Sequence, residues 1–286
     1  EVVAQVVRDD STAVTLFESG KLDFLTDIST VDLKRLSGRP ELRVFPYLKT
    51  VYIGLVVTKY PFTNVKFRRA IAMAFDKTKF SQILHGGQSP ASSFIPPKVL
   101  AHVPEMGLPF DPARAKAELR ASGIETTKPL QIEMTLPSWD RTVTLAQYLQ
   151  AEFKKNLGIE ITLQPFDHKT FRAQLELKQF PMFLNSWAGD YPDPDNFLSL
   201  FTSDAGNNRL GWKNAKFDEL ILKGRYLRDP AARDVAYRQA QKILIEDEAA
   251  LVPLSYEPNM ALVKNRVKGL AINPLNYLAL RNVVLE

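Results

Sequence analysis

The stretch LQIEMTLPSWDRTVTLAQYLQAEFKKNLGIEITLQPFDHKTFRAQLELKQFPMFLNSW, residues 130–187, decides the fold. Leu130 to Leu136 alternates apolar and polar side chains, the period of a half-buried strand. Thr142 to Leu157 then reads as a helix, Ile159 to Pro165 as a strand, Lys169 to Lys178 as a helix and Pro181 to Trp187 as a strand. Strands that alternate with helices define an α/β domain, with a sheet flanked by helices.

The same reading extends outward. Glu1 to Val7 alternates and predicts a strand. Ser11 is placed to cap a helix over Thr12–Ser19 that stops at Gly20, followed by a strand at Leu22–Ile28 and a helix at Thr30–Leu36. Leu42–Leu48 and Thr50–Thr58 are rich in branched and aromatic residues and predict two strands. Asn64 caps a helix through Asp76, and a second helix runs from Lys77 to Leu84 and ends at Gly86-Gly87. Gln88 to Pro109 carries five prolines and little periodicity, so it predicts an ordered excursion over the surface. Asp111-Pro112 opens a helix that ends at Gly123, with Asp as cap and Pro in the first turn. Beyond a loop rich in Asp and Pro come helices at Asn196–Phe201, Ala215–Leu227 and Pro230–Glu248, then strands at Leu251–Tyr256 and Met260–Val263.

Composition narrows the function. With 286 residues, 45% of them hydrophobic, the chain can bury a sizeable core as one large domain or two ordinary ones. No window is apolar enough to predict a membrane-spanning helix. The net charge of +5 comes from Lys and Arg scattered among Asp and Glu, without the basic stripe that nucleic acid requires. Absence of cysteine excludes disulfides, thiolate catalysis and Cys-ligated zinc. The first residues lack the basic and apolar regions of an export signal and read as mid-protein sequence. His85, His102 and His168 sit in separate contexts with no nucleophile or zinc-hydrolase spacing around them, so catalysis is not expected.

Several blocks resemble the solute-binding proteins that include the oligopeptide- and dipeptide-binding receptors of ABC importers. They are the Ser19–Asp23 turn, Phe62–Ile71 leading to Ala74–Lys77, the Phe110–Lys116 helix start, Trp187–Pro194, Asn207-Asn208 and Phe217–Leu220. Their order along the chain carries the resemblance more than any one of them. It implies a lobe like that of type II periplasmic binding proteins, a mixed sheet flanked by helices, plus part of a second lobe. Full-length members are nearly twice as long, which implies a fragment lacking an N-terminal part. Residues 1–48 and 257–286 would belong to the first, hinge-bearing lobe and residues 49–256 to the second. The strands near Val51–Val57 and Leu251–Tyr256 would be the crossovers. The expected role is a non-enzymatic, monomeric receptor that binds a short peptide between its lobes and delivers it to a permease. It would need no cofactor and no metal. It would lie in the periplasm or at the cell surface, as a lipoprotein in a Gram-positive cell, and meet the membrane only through the transporter or an N-terminal anchor.

Asp190 is the expected anchor. It follows a predicted strand and the small Ala188-Gly189 pair, with Trp187 and Tyr191 beside it. A receptor for many peptides must hold what all of them share, an ammonium end and backbone amides. In peptide-binding relatives the matching Asp pairs with the ligand's α-amino group, and the strand matching Ser186-Trp187-Ala188 pairs with its backbone. Asn207 and Arg209 lie close enough in sequence to share the rim and meet a ligand carbonyl or carboxylate. Trp187, Tyr191 and Trp212 are candidates either to line the cleft or to join the core. Some relatives place an Arg a few residues before the tryptophan for the ligand's C-terminus; Leu184 and Asn185 stand in that neighbourhood, which leaves open the peptide length and even peptide as the ligand. A calcium site built from Asp190, Asp193 and Asp195 lacks the EF-hand spacing, and Pro192 and Pro194 already account for a turn. The alternatives are another small solute, such as a sugar or a nickel complex, and a ligand-sensing domain of a transcription regulator.

Overall fold

The computed structural model describes residues 2–125 and 128–286. Two sheets organise the chain. The larger has six strands in the order Ser89–Pro90, Leu251–Tyr256, Lys49–Leu55, Met182–Ala188, Gln131–Pro137 and Glu160–Phe166. Lys49–Leu55 is antiparallel to both of its neighbours, whereas Gln131–Pro137 runs parallel to Glu160–Phe166 and Met182–Ala188. The sheet is therefore mixed, with helices on both faces. On one face Phe67, Ile71, Phe75, Leu145, Leu149 and Phe153 pack against Ile53, Leu55 and Met134. On the other, Phe94, Phe197, Phe201, Phe217, Tyr237 and Leu244 pack against Tyr52 and Phe183. Gly54 permits this second core: a Cβ there would stand 2.0 Å from Cζ of Phe183 across the strand pair.

The smaller sheet orders Phe24–Leu25, Asn259–Val263 and Leu42–Phe45, all antiparallel. Its period of two is visible in the central strand. Met260 and Leu262 face helices Asp10–Glu18 and Thr30–Leu36, packing with Val14, Phe17, Leu33 and Leu36, while Ala261 and Val263 face Val267, Leu270 and Ile272. The chain passes between the sheets twice, at residues 46–48 and 257–258. The segments are tied by the Glu257 N–H to Lys49 O bond of 3.1 Å and by the Lys49–Glu257 ion pair at 3.2 Å. Residues 51–55 and 251–256 lie wholly within the large sheet, so the connections occur at the ends of the strands expected to cross.

Three local expectations are corrected. Glu1 is outside the described residues, and residues 2–7 form no strand: Val2, Val3 and Val6 are exposed, and alternation without an edge to pair with does not make a sheet. The first helix is capped by Asp9, whose carboxylate accepts the Thr12 N–H at 2.7 Å, while Ser11 donates to Asp32 instead. The proline-rich excursion enters the core and does not merely ride over the surface. Phe94 and Ile95 are fully buried, both of their N–H groups donate to Oε1 of the buried Gln241, and Gln241 Nε2 donates to Ala101 O at 2.7 Å. The Tyr256 hydroxyl, donating to Ser93 O, fastens the same segment to the sheet. An irregular segment can be buried here because side chains supply the backbone partners that a strand would have supplied.

Candidate functional site

Where the two sheets face each other the chain leaves a cleft of about 650 Å³. It is lined by Asp10, Asp27 and Ser29, by Trp139, Asp140 and Arg141, and by Tyr47, Lys49 and Glu257. Leu184, Asn185 and Ser186 reach it from the large sheet. Lys49 and Glu257 neutralise each other, so Asp10, Asp27 and Asp140 face Arg141 with an excess of negative charge. Burial, then the charges of Asp27, Asp9 and Asp140, raise the Asp10 carboxyl above its ordinary range against the opposing pull of Arg141. Asp140 stands in the first turn of helix Asp140–Leu157 and accepts the Thr30 N–H at 3.0 Å across the cleft, so one carboxylate serves the N-terminal ends of two helices. Trp139 is half exposed and stacks on His168 with ring centroids 5.5 Å apart.

Strand Met182–Ala188 is asymmetric. Lys49–Leu55 pairs with it along its whole length, whereas Gln131–Pro137 pairs with it only at Met182 and Phe183. Leu184–Ala188 therefore have one edge without a strand partner among the described residues. Leu184, Asn185 and Ser186 line the cleft along that stretch. Ser186, Trp187 and Ala188 are partly exposed, and Asn185 donates to the Tyr52 hydroxyl at 3.3 Å.

Asp190 follows the strand after Gly189, whose N–H donates to Leu48 O at 2.7 Å, which places the corner beside the segment joining the two sheets. The Asp190 side chain is exposed and forms no ion pair among the described residues; it is not among the residues that line the cleft. The side chain of Asn196 links Asp190 to Trp187: its Oδ1 accepts Trp187 Nε1–H at 3.2 Å and Asp190 N–H at 2.9 Å, and its Nδ2 donates to Asp190 Oδ2 at 3.3 Å. Tyr191 is exposed beside them. Asn207 is exposed and, like Arg209, lies outside the cleft lining; Arg209 pairs with Glu176 at 3.3 Å. Trp212 is core, packed edge-on against Phe217. Asp193 and Asp195 are taken by Arg233 and Arg225, at 2.7 Å each, and no group of His, Asp or Glu suited to a metal occurs among the described residues.

The sequence reading missed Asn196, the carboxylates Asp10, Asp27 and Asp140, and the Lys49–Glu257 pair. Asn196 had a signal, since it belongs to the run around Asp190. An acidic residue in the first turn of a helix reads as a local cap, and nothing in its sequence says that it faces another helix 110 positions away.

Two sheets with separate cores, joined by two connecting segments, flank a polar cleft. The profile of the bacterial extracellular solute-binding proteins, family 5 Middle, matches residues 1–209, and the chain belongs to that family. It is 31% identical over 260 residues to the probable deoxycholate-binding periplasmic protein YgiS of Escherichia coli, covering 88% of this chain and 48% of the relative. With the periplasmic oligopeptide-binding protein OppA of Salmonella typhimurium it shares 30% identity, covering 98% of this chain and 53% of the relative. The structure of the Escherichia coli murein tripeptide binding protein MppA superposes with a TM-score of 0.88 at 26% identity, over 96% of this chain and 56% of that one. The chain thus spans about half the length of the curated relatives it matches.

Proposed function

We propose that the chain is the ligand-gripping portion of a two-lobed receptor that binds short peptides and hands them, without chemical turnover, to an ABC permease. In this reading residues 49–256 form one lobe and residues 1–48 and 257–286 belong to the other. The segregation of apolar clusters between the two sheets supports that division. Closure by hinge bending would flex residues 46–48 and 257–258, with the Lys49–Glu257 pair keeping the two connections in step.

The observation that carries the peptide reading is the open edge of Leu184–Ala188, which lines the cleft at Leu184–Ser186 and runs on toward Asp190. A peptide laid along that edge gains backbone hydrogen bonds whatever its side chains, and a carboxylate at the end receives its ammonium. Asp10, Asp27 and Asp140 favour positive over negative ligand groups, which weighs against a carboxylate-bearing steroid such as the one YgiS is named for. The receptor works outside the cytoplasm, where the relatives named periplasmic are found, and in this reading it is a monomer, tethered as a lipoprotein in a Gram-positive host.

The test is calorimetry on the natural full-length chain with free-amine and N-acetylated tripeptides. Because closure of the lobes would bury the now exposed Asp190 with the ligand's ammonium, Asp190→Ala is expected to weaken the free-amine peptide by about 2 to 5 kcal/mol, the range for truncating one partner of a buried charge pair, and to leave the acetylated one nearly unchanged. Equal losses for both peptides would remove Asp190 from this role, and tighter binding of deoxycholate than of any tripeptide would remove the peptide.

A further inference from the structure

We infer that Asn196 is a positioning residue for the ligand's ammonium, acting through Asp190; the inference rests on the peptide reading above. Asp190 sits on a turn with an exposed side chain, and a free turn would let its carboxylate sample several rotamers. Asn196 removes that freedom. It is 6% exposed and touches the corner at three points, receiving the Asp190 N–H and the Trp187 indole N–H and giving an N–H to Asp190 Oδ2. The orientation of its amide follows from the partners. A flipped amide would set an NH₂ group against two N–H donors and a carbonyl oxygen against a carboxylate.

Asn196 is itself fixed from behind. It lies in the short helix Pro194–Leu198, capped by Asp193, and Asp193 receives both arms of the Arg233 guanidinium at 2.7 and 2.8 Å. Phe197 presses on the turn from the same helix: a Cβ on Gly189 would come within 2.8 Å of its ring. The corner is therefore clamped by backbone, indole and carboxylate contacts to one side chain. Only one Asp190 oxygen, Oδ2, is engaged by that clamp, so Oδ1 is left to receive an ammonium without any contact being broken. Groups held in place before the ligand arrives do not have to be ordered by it.

The test uses the natural full-length chain, trialanine and N-acetyl-trialanine, with Asp190→Asn run beside Asn196→Ala. Asn196→Ala is expected to weaken trialanine about tenfold, the scale of one hydrogen bond to an ionised group, and N-acetyl-trialanine less than about twofold. Asp190→Asn should show the same selectivity with a larger loss. Selective loss in Asp190→Asn with none in Asn196→Ala would overturn the inference and leave the anchor standing. No selectivity in Asp190→Asn would overturn both, and equal loss of the two peptides in Asn196→Ala would make Asn196 merely structural. Should Asn196→Ala fail to fold, Trp187→Phe decides, since it removes the indole N–H that Asn196 receives and keeps an aromatic ring at the position. A selective loss of about two- to threefold supports the inference, and parity between the peptides overturns it.

Discussion

The large sheet and the small sheet are built by the same alternation of strand and helix, yet they differ in how much each can hold by itself. The large sheet has cores on both faces, fed by helices above and below. The small one has a five-residue central strand between partners of two and four residues, with a modest apolar cluster on each face. Residues 2–7 belong to no strand, and residues 2–6 are exposed. The expected anchor, Asp190, sits where the rigid region ends, beside the segment leading to the weaker one. A site there gains a stiff wall from one side and movement from the other.

If the large region is as tightly packed as its geometry indicates, the sharpest way to break it is overpacking. Gly54→Ala drives a methyl group into the tip of the Phe183 ring, 2.0 Å from Cζ, and neither central strand can retreat from its two neighbours. A loss of about 3 kcal/mol in chemical denaturation is expected, the upper end for an inserted carbon, with part of it recovered in the Gly54→Ala/Phe183→Leu double variant. A change below about 0.5 kcal/mol would mean that the two cores are looser than described. Hydrogen exchange reads the comparison directly. Amides of Leu42–Phe45 and Asn259–Val263 should open at least about 1.5 kcal/mol more easily than those of Ile53–Leu55 and Met182–Leu184. Equal protection would make the two sheets one cooperative unit.

The same contrast explains what the sequence could tell. The large region was legible because its periods are long enough to average over. The run from Leu130 to Trp187 yields every element within two residues, with helix Asp140–Leu157 and strand Glu160–Phe166 in their expected places. In the small region helix Thr30–Leu36 and strand Asn259–Val263 were also legible, but its shortest pieces have too few residues for a pattern to form. Leu22–Ile28 gave a two-residue strand, and the alternating opening segment gave none, since pairing is decided by an edge elsewhere in space. The prolines of residues 88–109 spelled irregularity correctly but concealed burial, because Gln241 and Tyr256, which satisfy that backbone, are about 150 positions away. At the site, Asp190 was singled out from its motif as the expected anchor, while Asn196 in the same run was passed over, because its three contacts depend on a turn whose shape the sequence leaves open. Asp10, Asp27 and Asp140 come together only through the packing of one sheet region against the other.

A smaller effect separates the two regions by pH. Burial alone would raise Asp193, but the hydrogen bonds and charge of Arg233, with the Asp195 N–H, outweigh it and hold the carboxyl below its ordinary range. Asp32 in the small region is likewise raised by burial and lowered further by Ser29, Arg35 and Ser11. Because both are depressed in the folded state, the stability they lend is complete above the unfolded value near 3.9 and is lost as pH falls through the lower folded value. Denaturant titrations between pH 5 and pH 2 should therefore show a decline that Asp193→Asn and Asp32→Asn each make shallower, by about 1 kcal/mol at most, the ceiling for partly exposed pairs. Read by hydrogen exchange, the Asp193 substitution should lower protection around Trp187–Phe197, and the Asp32 substitution should act only on helices Asp10–Glu18 and Thr30–Leu36. A response to Asp32→Asn in the Asp190 corner would show that the small sheet supports the anchor after all, and that the division between a rigid wall and a yielding one is drawn in the wrong place.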